Sequence, residues 1–365
     1  MKPGLMISTP QKPVGRERGL SLIELMVAIT IGLLIIAFLL ALYINVTRAN
    51  NEMARMNRQI ENGRFAIQLL QNDLIHAGYW ADFMPQFDDR SVVGPTDMPT
   101  AFPDPCKAPG TWTAADRSNL IGIPLQNAVG SCGVVANPLA GNDVLVVRHV
   151  EPAAGAAACP GGVCFQASQC TLEIKATPPQ FYVLGTANHT LHTMNCEGTG
   201  SPAALPINSG GTAPVRRFVS NIYYVRDDFT LMRSEFLNGA HQAAQPLIEG
   251  IEALRFEYGI DNRDRMGNAV NYVGAVVRGD GVADQFVNAA GLTCNSAVDC
   301  VAANVVEVRM HLLARSPEPT PGYTDTKTSA LGNTGALGPF NDNFKRHVFT
   351  TTVRLVNPAG RRESP

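Results

Sequence analysis

The feature that most constrains this chain is a run of 25 residues, 20–44, in which Glu24 is the only charged side chain. A stretch of that length and composition can cross a bilayer as a helix, whereas a soluble domain rarely has room to bury it on all sides. Before the run stand Lys2, Lys12, Arg16 and Arg18 against Glu17, a net +3. By the positive-inside rule these residues stay in the cytoplasm, and everything beyond the run lies across the membrane. An ordinary secretory signal would end in a small-residue cleavage site after its apolar stretch; no clear A-x-A follows residue 44. The helical pattern instead runs on. Met53, Met56, Ile60, Ile67, Leu70 and Leu74 recur at spacings of three, four and seven and predict one apolar stripe. Gly78 predicts the stop, and no proline interrupts residues 14–84. A single helix over 20–77 would be roughly 85 Å long, about twice a bilayer, so its second half must pack on a domain.

Glu24 is costly where it stands. On an uncut chain it reads as a helix-end glutamate reaching the headgroups. On a chain that begins at Leu20 it lies one turn from a new amino terminus, where a cation and a carboxylate can neutralise each other.

The sequence beyond residue 78 alternates as antiparallel strands do. Leu254, Phe256, Tyr258 and Ile260 share a face, with Arg255 and Glu257 opposite. Val306, Val308, Met310 and Leu312 alternate with Glu307, Arg309 and His311. Further strands are predicted over 143–150, 171–176, 180–184, 218–225, 229–233 and 348–356, the last ending at Asn357-Pro358, with a hairpin turn at Asp227-Asp228. Residues 85–140, 151–163, 197–214 and 317–343 read as long loops. The expected fold class is α+β: a long N-terminal helix with a large antiparallel sheet head over 79–365.

Eight cysteines, all beyond residue 100 and none in a C-x-x-C, suit disulfides in an oxidising compartment. Cys294 with Cys300, six residues apart, is the candidate local pairing; buried free thiols are the alternative. The chain's net charge is −2, which becomes −5 without the basic leader, and that argues against charge-driven nucleic-acid binding. Arg216-Arg217 and Arg361-Arg362 read as solvated surface. His189 and His192 lack a nearby acidic residue in sequence and read as surface loop residues. Asp261, Asp264, Asp280 and Asp284 lie in acidic, turn-like segments; ordinary turns are expected there, and a calcium site is the alternative. There is no H-E-x-x-H, P-loop, G-x-S-x-G or G-x-G-x-x-G, so no enzyme chemistry, metal or cofactor is expected.

The segment Arg16-Glu17-Arg18-Gly19-Leu20-Ser21-Leu22-Ile23-Glu24-Leu25 resembles the class III signal of type IV pilins and of type II secretion pseudopilins. The resemblance implies a cut by prepilin peptidase after Gly19, N-methylation of Leu20, and an assembly role for Glu24. It divides the chain into a leader (1–19), a pilin helix (20–78, membrane-spanning over 20–44) and a periplasmic head (79–365). The segments 76–80, 246–260 and 308–316 are similar to those of PilW-type minor pilins. Major pilins usually start with phenylalanine, carry a proline in the membrane half of the helix and are shorter. This chain departs on each count, which points to a minor subunit. The partners so implied are other minor pilins, the major pilin, prepilin peptidase, the inner-membrane assembly platform and a tip adhesin. A J-type pseudopilin is the nearest alternative; a signal-anchored periplasmic enzyme or ligand-binding module is the alternative of another class.

Overall fold

The computed structural model describes residues 19, 21–90, 97–127, 129–130, 132–153, 162–170, 173, 180–193, 211–272 and 276–363. The chain divides into two compact units at Ala54–Arg55. Helix α1 runs over Leu22–His76, 55 residues or about 82 Å. Its end is where the sequence places it: Gly78 has φ +70°, a conformation that a Cβ disfavours.

The head is antiparallel throughout. Helix α2 (Ala114–Gly122) opens with a capping box, Thr113 and Asp116 exchanging side-chain and backbone bonds. The first sheet comprises β1 (Leu125–Gln126), β2 (Leu145–Val150), β3 (Cys164–Ala167), β4 (Tyr182–Gly185), β5 (Val215–Val225), β6 (Thr230–Leu237), β7 (Ala240–His241) and β8 (Gln245–Glu249). Its main path is β1-β2-β5-β3-β4, with β6 also on β5 and carrying β7 and β8. The chain then forms β9 (Ile251–Ile260), β10 (Gln285–Asn288) and a small hairpin of β11 (Cys294–Ser296) and β12 (Asp299–Cys300). After it come the long β13 (Val305–Arg315), a second small hairpin of β14 (Ser329–Ala330) and β15 (Ala336–Leu337), and β16 (Arg346–Arg354). The second sheet has the order β10-β9-β13-β16. A last helix, α3 (Val356–Glu363), closes the described chain.

Both sheets and the second half of α1 share one core. Ala66, Leu70 and Leu74 of α1 meet Leu254, Phe256 and Tyr258 of β9, Met310 and Leu312 of β13, and Leu145, Val147 and Tyr223 of the first sheet. A second, aromatic cluster gathers Trp80, Phe83, Trp112, Phe165, Phe218 and Phe236.

The structure corrects the helix stripe. The buried seam of α1 is Gln59, Gly63, Ala66, Leu70 and Leu74, while Met53 and Met56 are exposed. Two of the seam residues are not apolar by type, for physical reasons. A Cβ on Gly63 would collide with the ring of Phe349 on β16. Gln59 reaches across to donate Nε2 to the carbonyls of Ala314 (2.7 Å) and Lys345 (3.1 Å). The Ala314 carbonyl lies where the β9–β13 register shifts, so the amide serves a ladder irregularity.

Other expectations also change. The region 85–140 holds α2 and β1 rather than loop alone. The strand predicted to 356 ends at Arg354, and Asn357-Pro358 stands in the first turn of α3, where a proline's missing N–H costs nothing. A bulge between Val305 and Glu307 puts Val305, not Val306, into the main core with Val308. Glu257, on the face opposite the apolar residues of its strand, is nonetheless 1% exposed. The hairpin turn forms at 226–229, with Phe229 N donating to Arg226 O and Phe229 itself at φ +63°. The strand predicted over 171–176 falls, apart from residue 173, outside the described residues, as do most of 197–214 and 154–161.

Candidate functional site

At the start of α1, Ser21 and Glu24 stand three residues apart and cap the helix reciprocally. Glu24 N donates to Ser21 Oγ (3.3 Å), while Ser21 N (3.0 Å) and Ser21 Oγ (3.1 Å) both donate to Glu24 Oε2. One carboxylate oxygen is thus held within the chain's own first turn, next to the positive end of the helix dipole. Gly19 is exposed, with nothing within 4 Å of where a Cβ would stand. Leu20 and residues 1–18 lie outside the described residues.

Among the described residues, the helix that follows has no hydrophobic partner in its own unit. Leu22 is 78% exposed, and Phe38 and Tyr43 are each 69% exposed. No Asp, Glu, Lys, Arg or His occurs over 25–47. An apolar rod of this kind is stable only where something else excludes water from it, either lipid or other apolar helices. It is long and apolar enough to cross a membrane. Past the apolar run the same helix changes character, and from Gln59 onward it supplies one stripe to the core of the head.

Two family models match this arrangement. The prokaryotic N-terminal methylation motif matches residues 15–40, and the type IV pilus-assembly protein W family matches residues 222–357. Residues 15–40 are thus similar to the methylation motif of type IV pilins, and residues 222–357 to type IV pilus-assembly protein W. The second match spans the end of β5 through β16 and so takes in the whole second sheet. No curated protein matches the chain. A solved structure of a type IV-like pilin from Thermus thermophilus is 12% identical over 83% of this chain and 98% of its own, with a TM-score of 0.34. The methylation motif and the apolar helix together fit a membrane-anchored pilin.

Among the described residues, the cysteines and several polar groups of the head serve its packing. Cys294 is disulfide-bonded to Cys300, closing the β11–β12 hairpin, and Cys106 is bonded to Cys132. Cys164 and Cys170 are also disulfide-bonded. Cys159 and Cys196 lie outside the described residues. His192 does have an acidic partner, the buried Glu173, 2.7 Å from its Nδ1. The acidic turns hold backbone amides. Asp264 accepts from Met266 N and Asn268 N, and Asp284 from Asn262 N and Arg263 N. Asp261 is fully buried and accepts from Gly281 N (2.7 Å). Burial pushes its carboxyl up, against the pull of Arg362. Among the described residues no group of three or more His, Cys, Asp or Glu is placed to hold a metal ion.

The basic pair Arg361-Arg362 is a clear correction. Arg362 is 1% exposed, not solvated, and pairs with Asp88 (3.0 Å) and Asp261 (3.4 Å). Arg217 does lie at the surface, paired with the exposed Glu151. Sequence reading also missed two buried arginines of the head. Arg346 binds Glu252, Asp325 and Asp342. Arg148 has no carboxylate among its described partners; it donates to Ile123 O (3.0 Å), at the negative end of α2, and to Gln126 Oε1 (2.7 Å). Burial pulls its guanidinium down to about 9. Isolated arginines in a strand pattern carry no signal that distinguishes a buried ion pair from a solvated face.

Proposed function

We propose that this chain is a minor pilin, cut by prepilin peptidase after Gly19 and methylated at Leu20, which helps to initiate or cap a type IV pilus near its tip. The observation that carries the reading is an exposed apolar helix headed by one carboxylate, on a chain whose helix continues into the core of a large sheet head. Before assembly, the run 20–44 holds the head in the periplasm. After cleavage, the same apolar surface packs against other pilin helices, and Glu24 meets an amino terminus there. The capping box supports that role. Ser21 holds Oε2 and leaves Oε1 to accept from a neighbour's ammonium. The partners are other minor pilins, the major pilin, the peptidase, the inner-membrane assembly platform and a tip adhesin.

Gly19 and Glu24 separate the two halves of the proposal. A Gly19→Val chain should accumulate as uncut precursor; a protein of mature size in that strain would overturn the cleavage site. A Glu24→Val chain should insert in the membrane and be cut, yet fail to enter pili. Normal incorporation would remove Glu24 from assembly while leaving the cleavage reading intact.

A further inference from the structure

We propose that α3 is the clamp that terminates the pilin helix and fixes it to the head. A helix ends with four carbonyls that have no partner in the helix, and here they fall at the base of α1. Two side chains of α3 meet two of them, on Ile75 and His76, and the next two carbonyls, on Ala77 and Gly78 just past the helix. Asn357 Nδ2 lies 3.3, 3.4 and 3.2 Å from the carbonyls of Ile75, His76 and Ala77. Arg361 donates to the carbonyl of Gly78 and brings a cation to the negative end of the α1 dipole. On the other side of the same turn, Gly78 N donates to Arg148 O on β2. The third side chain, Arg362, points the opposite way. Its guanidinium reaches Asp88, Asp261, the Ala303 carbonyl (2.8 Å) and Asn304 Oδ1 (3.0 Å). These belong to the segment after α1, the end of β9 and the turn before β13, three parts of the head far apart in sequence. Arginine suits this position because its planar fork can satisfy several oxygens at once, which a lysine ammonium cannot do with the same geometry.

Within its eight residues, α3 therefore holds the end of α1 with Asn357 and Arg361 and holds the head with Arg362. The clamp itself acts whether or not the leader is cut.

Hydrogen–deuterium exchange on the full chain in detergent micelles tests it. The double variant Asn357→Ala/Arg361→Ala removes the α1 contacts without leaving a buried carboxylate unpaired. Amides over 70–80 should exchange roughly fivefold to tenfold faster, the size of a lost helix cap, with those of β9 and β13 unchanged. Arg362→Lys should loosen 85–90 and 303–304 in the same selective way, and it covers the case in which the double variant folds poorly. Unchanged protection over 70–80 in the double variant would overturn the clamp. So would an equal loss across β9 and β13, which would mark a general loss of stability rather than a released joint.

Discussion

Arg346 shows how much a single side chain does in this head. It is 3% exposed at its side chain, between the equally buried Asp325, the nearly buried Glu252 and the partly open Asp342. Replacing it with methionine leaves two buried carboxylates without their cation. The expected cost is about 3–5 kcal/mol in urea or thermal unfolding. The Arg346 hydrogen bonds pull the Asp342 carboxyl down to about 2. A carboxyl depressed in the folded state stabilises above its unfolded value and loses that contribution as pH falls through the folded one, here from about 4 to about 2. His241 works in another window. Burial first, and then the charge of Arg148, lower it to about 4 from 6.5. Unfolding lets it take a proton, so stability should fall as pH drops from about 6.5 to about 4, by on the order of 3 kcal/mol in all. A His241→Gln chain should show a flatter stability profile over that range; the same slope would assign the titration elsewhere. Neither arginine was legible as buried in the sequence, because each needs partners that the fold brings from distant segments.

Among the elements, the long strands β9 and β13 were the most legible. Their apolar residues alternate over a full strand length, and a sheet with one face on a helix requires that alternation. What sequence could not give was the bulge at Val305/Glu307, since a bulge leaves the composition of the strand unchanged. The α1 seam was misread for a related reason. Hydrophobicity picks out Met53 and Met56, whereas close approach picks out Gly63, where Phe349 needs the room, and hydrogen bonding picks out Gln59. Gly63→Leu should therefore destabilise the head by about 1–3 kcal/mol through overpacking, measured by thermal unfolding, despite raising helix propensity. The β11–β12 disulfide closes a loop of sequence separation 6, which corresponds to about 2 kcal/mol of loop entropy. A Cys294→Ala/Cys300→Ala chain should lose about that much and keep its fold.

For the whole molecule, the division between apolar rod and sheet head was readable from the first hundred residues and the alternation beyond 215. In the middle of the chain the strands at 143–150 and 180–184 were readable, but α2, β1 and β3 were not, because the Pro-, Gly- and Ala-rich segments around them carry no periodicity. The capping box Thr113–Asp116 was the one local signal there. On the function proposed above, Leu20 begins the working protein and Glu24 heads its helix. Mass spectrometry of the N-terminal peptide from chain expressed in a host with prepilin peptidase tests it most directly. The expected peptide starts at an N-methylated Leu20. A peptide that retains the residues up to Gly19 would contradict it.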